Sequence, residues 1–235
     1  MNQFFYSDNI SKDIIILSDE EAKHALKVLR KNQGDKIFVV DGKGSLYETA
    51  LESDNINKCR LKILDEHKKF EKPNHYIHIA IAPPKSHDRI EWFVEKSVEI
   101  GIQEISFINT HRTERNNIKL NRIKKRAISS MKQSLQAYLP KINDMINFQD
   151  LINNCNNLDK YVGYLRAENV KFLSHVAKLE NNYCVLIGPE GDFTSEEIDG
   201  ALELGFQCIS LGKARLRTET AGIAACHVLN ILNQK

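Results

Sequence analysis

The feature that most constrains this chain is a change in hydrophobic periodicity near residue 72. Upstream, apolar residues come in short β-like runs, and residues 14–17, 36–40, 46–51 and 59–64 read as strands. Asp41-Gly42-Lys43-Gly44 is a turn between two of them, because glycine supplies positive φ. One short helix interrupts the strands. Ser18 stands at its cap, Glu21 at the capping-box position, and Ala22, Ala25, Leu26 and Leu29 form its apolar stripe. Short strands with one helix point to a small barrel. Residues 68–74 read as a linker. Downstream, strands and helices alternate. Residues 76–82, 105–108, 161–165, 183–187 and 208–211 are expected strands. Residues 88–100 form an amphipathic helix with Ile90, Phe93, Val94 and Val98 inward, stopped by Gly101. A long helix is expected over 119–136, and another begins at Thr194 with Glu197 completing its box and Gly205 ending it. A last helix, 219–232, is apolar on nearly all sides, so its burial is expected. The Asn-rich stretch 153–157 reads as a loop. Such alternation implies a mostly parallel sheet covered on both faces. The expectation is an α/β protein of two domains, 1–72 and 73–235.

Charge and cysteine content exclude several classes. Thirty-three Lys and Arg against 31 Asp and Glu give +2, which rules out a uniformly basic coat and an acidic disordered tail. No apolar run approaches the ~20 residues of a membrane span, and the first residues lack signal-peptide character. No membrane partner is expected. Five cysteines (Cys59, Cys155, Cys184, Cys208, Cys226) without a CxxC pair argue against a disulfide framework or a zinc site. No metal and a reduced, cytoplasmic setting are the expectations.

Three segments carry candidate chemistry. The first, Ile187-Gly188-Pro189-Glu190-Gly191-Asp192-Phe193-Thr194, leads from a buried strand into a capped helix, where α/β sheets bind ligands. The second, Leu211-Gly212-Lys213-Ala214-Arg215-Leu216-Arg217-Thr218-Glu219-Thr220-Ala221, does the same and crowds Arg215, Arg217 and Glu219 at a helix N-terminus. A Pro-Gly connector and a capped helix with solvated charges are the plainer alternatives. The third is a basic segment, 111–132, with Arg112, Arg115, Lys119, Arg122, Lys124, Lys125, Arg126 and Lys132 against Glu114 alone. Leu120, Ile123, Ala127, Met131 and Leu135 form its inward stripe, with Lys124 on that side. Lys119, Arg122, Lys125 and Arg126 fall opposite, a phosphate-binding footprint unless it is an ordinary solvated face. Lys23, His24, Lys27, Arg30 and Lys31 make a weaker basic cluster. Phosphate-loop, HExxH and GxSxG motifs are missing from the sequence. Surface roles suit His24 and His87, and a packing role suits Trp92.

Gly188-Pro189-Glu190-Gly191 with Leu211-Gly212 and Leu216-Arg217-Thr218-Glu219-Thr220-Ala221 resembles the ribosomal RNA small-subunit methyltransferase E family, within the SPOUT methyltransferases. His24-Ala25-Leu26-Lys27-Val28-Leu29-Arg30, Asp88-Arg89-Ile90-Glu91-Trp92, Thr113-Glu114-Arg115, Gln133-Ser134 and Pro140 extend the likeness along the chain. Asp192, where the family more often has glycine, and Gly222, where alanine is usual, depart from it. The resemblance implies an N-terminal PUA-like β-barrel and a C-terminal SPOUT domain with a mostly parallel sheet and a deep trefoil knot. It implies S-adenosylmethionine (SAM) as cofactor, a homodimer, and methylation of uridine N3 in the decoding region of 16S rRNA, within the small ribosomal subunit. Leu165, Ile187, Gly188, Pro189, Glu190, Gly191, Leu211, Gly212, Leu216, Arg217, Thr218 and Ala221 are then the expected cofactor residues. Arg217, or the partner subunit's Arg115, would stabilise the uracil anion, with Glu219 as a base or as the orienter of an arginine. Lys23, Lys27, Arg30, Arg112, Arg115, Lys119, Arg122, Lys125 and Arg126 would hold RNA. Ribose 2′-O methylation, and a non-catalytic RNA-binding or ribosome-assembly role, are the alternatives.

Overall fold

The structure, a computed structural model, describes residues 3–156, 158–166 and 170–234. Of the stretches read above, Met1, Asn2, Asn157 and Lys235 lie outside the described residues. The chain divides into two compact units.

The first unit gathers the residues up to Lys72 together with Ile128–Leu139. Its elements are β1 (Phe4–Tyr6), β2 (Ile14–Ile16), α1 (Asp19–Lys23), β3 (Lys36–Val40), β4 (Leu46–Ser53) and β5 (Arg60–His67). The strands form one sheet in the order β1-β3-β4-β5-β2, antiparallel except for β1 beside β3. Phe5, Ile15, Ile37, Val39, Leu51 and Leu61 are its buried core. Ser18 Oγ accepts from Glu21 N–H at 3.3 Å, as expected of a cap, and α1 continues into a π-helical turn, His24–Val28. The Glu21 carboxylate does not close the box. It accepts from Tyr6 N–H at 3.4 Å and pairs with Lys132. Asp41 Oδ1 accepts from Lys43 N–H (2.7 Å) and Ser45 N–H (3.0 Å), building the expected turn with Gly42 at φ 73° and Gly44 at φ 106°. Leu139 N–H donates to Gly42 C=O and Gly44 N–H to Ala137 C=O, at 2.8 and 3.0 Å, so the segment 128–139 docks on that turn.

The second unit, Pro73–Ala127 and Pro140–Lys235, alternates strand and helix. Its strands are β6 (Tyr76–Ile81), β7 (Glu104–Asn109), β8 (Lys141–Asn147), β9 (Asp159–Gly163), β10 (Asn182–Ile187) and β11 (Gln207–Ile209). Its helices are α2 (His87–Ile100), the start of α3 (Leu120–Gln133), α4 (Phe148–Asn154), α5 (Leu173–Val176), α6 (Ser195–Glu203) and α7 (Thr218–Asn233). The strand order is β11-β9-β10-β6-β7-β8, and every paired neighbour is parallel. The α/β class with a parallel sheet is therefore as expected. One face packs on α4 and α6 through Ala80, Leu186, Leu151, Phe193 and Ile198. The other is covered by α7, which lies against β6 and α2.

Several expectations need correction. A division at residue 72 leaves 128–139 in the second domain, whereas those residues pack in the first unit. The hydrophobic stripe of α3 runs through that point unbroken, so no boundary shows in the sequence. β8 went unread because its burial is only partial and Asn143 and Asp144 interrupt its apolar residues. α4 runs through Asn154, into the stretch expected to be loop. Lys124 is exposed rather than on the inward side. The last helix is buried on one side only. Ala225, Cys226 and Leu229 are inside, but Ile231 is 52% exposed, and Trp92 on α2, expected to pack, is 44% exposed.

Gly222 explains its own departure from alanine. A Cβ there would stand 2.6 Å from Phe93 Cε2 and 3.2 Å from Ile81 Cδ1, and both side chains are wholly buried. We predict that Gly222→Ala lowers stability by about 1–2 kcal/mol, because overpacking outweighs the ~1 kcal/mol gain in helix propensity. Urea unfolding measures this, and a variant as stable as the parent would show that the Phe93 ring gives way freely.

Candidate active site

Parallel strands bring their C-terminal ends to one edge. There the loops after β9, β10 and β11 enclose a cavity of about 710 Å³, within the range of small-molecule sites. Every expected cofactor residue except Arg217 lines it. Ile187, Leu211, Leu216 and Ala221 supply apolar wall, and the glycine loops supply backbone N–H and C=O groups. Gly163, Tyr164, Arg166, Val170 and Ser210 also line it. Gly163, Tyr164 and Ser210 were legible only as the ends of strands 161–165 and 208–211, and Arg166 and Val170 fell outside every stretch read.

Short polar links hold these loops together. Asp192 sits at φ 63°, a left-handed conformation that explains why glycine suits this position and that an aspartate tolerates. Its Oδ1 accepts from Phe193 N–H (2.9 Å) and its Oδ2 from Leu165 N–H (3.3 Å), so it ties the β10 loop to the β9 loop. Burial pushes the Asp192 carboxyl above the usual range, against the pull of those two N–H groups. Thr218 Oγ1 donates to Gly188 C=O at 3.1 Å, and Arg215 Nη2 donates to Glu190 C=O at 3.4 Å, joining the two motif loops. The Thr194–Glu197 capping box forms as expected and starts α6 directly after the first of them.

The expected catalytic residues are dispersed around this cavity. Arg217 is the N-cap residue of α7 and is exposed; its carbonyl accepts from Ala221 N–H at 2.8 Å, while its guanidinium makes no hydrogen bond or ion pair among the described residues. Glu219 is 4% exposed and does not line the cavity. Its Oε1 stands 3.6 Å from Arg89 Nε, and its Oε2 is buried without a hydrogen-bond partner. It thus neighbours an arginine, but one on α2 that sequence reasoning missed. Arg115 is engaged within its own chain. Its Nε donates to Lys85 C=O (3.0 Å), and its Nη1 donates to His87 Nε2 (2.7 Å). Desolvation and the nearby cations Arg115, Lys119 and Arg122 hold the His87 imidazole below its ordinary value, which keeps it an acceptor.

The basic segment separates into two groups. Arg112 Nη1 donates to Gly191 C=O (2.8 Å) and Phe193 C=O (3.2 Å), fastening the first motif loop. Arg126 pairs with Glu91 and Glu95, each at 3.3 Å, and Arg122 pairs with Glu91. Asp88, Glu91 and Glu95 recur at helical spacing, a signal that sequence reading passed over. Lys119, Lys124 and Lys125 are exposed, with no ion pair among the described residues. In the first unit Lys23, Lys27 and Arg30 are likewise exposed.

A family model described as an RNA methyltransferase domain matches residues 71–230, and one described as an RNA methyltransferase PUA domain matches 17–64. The Ribosomal RNA small subunit methyltransferase E of Mesomycoplasma hyopneumoniae is 32% identical, over 95% of this chain and 96% of its own. A crystal structure of a probable rRNA-methyltransferase from Porphyromonas gingivalis superposes with a TM-score of 0.93 at 37% identity, covering 98% of each chain. A Ribosomal RNA small subunit methyltransferase E from Neisseria gonorrhoeae, bound to S-adenosyl methionine, gives a TM-score of 0.87 at 28% identity, over 99% of this chain and 98% of that one. The sheet, the paired glycine loops and these likenesses together place this chain in the ribosomal RNA small subunit methyltransferase E family, with a PUA domain toward its N-terminus.

Proposed function

We propose that this protein transfers a methyl group from SAM to N3 of a uridine in the decoding region of 16S rRNA. The observation that carries the proposal is the cavity built jointly by the Gly188–Gly191 and Leu211–Ala221 loops at the C-terminal ends of parallel strands. Its residues fit the cofactor. Ile187, Leu211, Leu216 and Ala221 offer a slot for an adenine, and Gly212, where an added Cβ would meet nothing within 4 Å, leaves backbone open to a ligand. When bound, SAM supplies a methyl group already activated by its sulfonium. The deep trefoil knot implied by the resemblance belongs to this proposal.

The work left to the chain is positioning and charge. Uridine N3 carries a proton on its Watson–Crick edge, so the base must be presented unpaired. Loss of that proton leaves an anion shared with the uracil carbonyls. Arg217, exposed and unpaired beside the N-terminal N–H groups of α7, is the cation proposed to stabilise it. Glu219, buried against Arg89, is proposed as a positioning residue rather than a base. Arg115 has its guanidinium on Lys85 and His87, which favours Arg217 over it. Lys119, Lys125, Lys23, Lys27 and Arg30 are the exposed cations proposed to meet phosphates, while Arg112, Arg122 and Arg126 act on protein partners.

A homodimer is part of the proposal. Ala224, Val228 and Ile231 recur at helical spacing on the uncovered side of α7, and Trp92 is exposed on neighbouring α2. A second copy covers such a surface well. The cytoplasm is the proposed compartment, in keeping with five free cysteines.

Three outcomes test this reading. Labelled SAM and small subunits lacking the modification should yield 3-methyluridine on nucleoside analysis. A 2′-O-methyl nucleoside would redirect the proposal, and a chain that binds no SAM by calorimetry would leave an RNA-binding factor. Arg217→Ala should lower turnover by about 100-fold or more while leaving SAM affinity within a few-fold, as for loss of an anion-stabilising donor. Unchanged turnover would remove Arg217 from the mechanism. Ile231→Glu should convert the dimer to a folded monomer in sedimentation. An unaltered dimer would place the interface elsewhere.

A further inference from the structure

The sheet of the second unit carries a polar row that the methyltransferase reading does not use. Strand register sets Lys160 on β9 beside Cys184 on β10, Cys184 beside His78 on β6, His78 beside Glu104 on β7, and Glu104 beside Lys141 on β8. Laterally paired residues of a parallel sheet project to the same face. The row lies toward the strand starts, away from the edge that forms the cavity. Strands buried on both faces ordinarily place aliphatic residues there. Instead His78 is 6% exposed and Cys184 is fully buried.

A third residue completes the cluster. Cys155 follows α4 directly and brings its Sγ to 3.4 Å from Cys184 Sγ. A His78 ring nitrogen and the two sulfurs all lie within 4.8 Å of one another. Ligands around one thiolate-bound cation stand roughly 3.3–3.8 Å apart, from metal–sulfur and metal–nitrogen bonds of about 2.3 and 2.0 Å. Small side-chain adjustments therefore suffice.

The surroundings of His78 are those of a ligand. Its Nε2 is hydrogen-bonded to Ser106 Oγ at 2.8 Å, which leaves Nδ1 as the nitrogen available to a cation. Ser106 Oγ also accepts from Asn143 Nδ2 (2.8 Å), and Asn143 donates to Glu104 Oε1 (2.6 Å). Tyr76 O–H and Lys141 Nζ complete the bonding of Glu104, at 2.6 and 2.9 Å. The imidazole is thus fixed by a chain of polar side chains ending on an ionised carboxylate.

We propose that Cys155, Cys184 and His78 form a binding site for one thiophilic d10 cation, Zn2+ or Cu+. Thiolate and imidazole donors select such ions over hard cations. Binding releases the remaining thiol protons to solvent and ties the end of α4 to the two central strands β6 and β10. The site shares no residue with the cavity or the proposed catalytic group.

The test uses the full-length protein, purified under a non-thiol reductant and freed of metal. Zn2+ is titrated against a chromophoric chelator, and Cu+ against a copper(I)-specific one. Co2+ serves as a spectroscopic probe of thiolate ligation. The expected result is one cation per chain, a raised Tm, and a thiolate-to-cobalt charge-transfer band. The band should vanish in Cys155→Ser and persist in Cys208→Ser, with SAM binding reporting that both variants are folded. X-ray absorption of the loaded wild-type protein should show two sulfur neighbours and a histidine nitrogen, and it needs no variant to fold. No stoichiometric binding of either ion, binding unchanged in folded Cys155→Ser, or a shell without sulfur would each overturn the proposal.

Discussion

Parallel pairing of six strands is the constraint from which the rest of the second unit follows. Each strand must be followed by a crossover, and all the strand ends then fall on one edge. Loops that start there converge without being neighbours in sequence. Gly188 and Thr218 meet in this way, as do Leu165 and Asp192. A cavity so constructed has walls from three separate strand-end loops. Its shape therefore depends on a few polar links between loops as much as on the lining residues. Asp192 and Arg112 are two such links, each satisfying backbone groups that a surface loop would otherwise leave to water.

Electrostatics are organised locally, and a net charge of +2 conceals this. On α3, arginines face the acidic side of α2, and Glu91, only 5% exposed, takes two of them. A buried carboxylate demands such partners. Lys124 and Lys125 of the same helix make no ion pair among the described residues, whereas Lys132 pairs with Glu21. This division follows the chemistry of the two side chains, since the guanidinium fork suits carboxylates and backbone carbonyls while the ammonium is strongly hydrated.

Sequence reading reached those features that local chemistry dictates. The Thr194–Glu197 box, the glycine stop at Gly101, and the buried strands β6 and β10 are written in adjacent residues, and the two motif loops line the cavity at the strand ends. Features set by distant partners stayed hidden. Arg89 beside Glu219, Arg112 on the 191–193 carbonyls, and the docking of 128–139 on the Asp41–Gly44 turn depend on tertiary placement alone. The cluster of His78, Cys155 and Cys184 is the extreme case. Its residues lie far apart in sequence with no motif spacing, and strand register alone unites two of them.

The close approach at Gly222 also bears on how this sequence was able to change. Phe93 occupies the space that a methyl group at position 222 would need. The two positions therefore form an epistatic pair. A phenylalanine ring at 93 and a methyl group at 222 compete for the same volume, so a substitution at either position changes the cost of one at the other. Helix α7 carries both the Thr218 link to the first motif loop and the uncovered apolar side. A change at this one core contact is therefore felt by the helix that serves both surfaces.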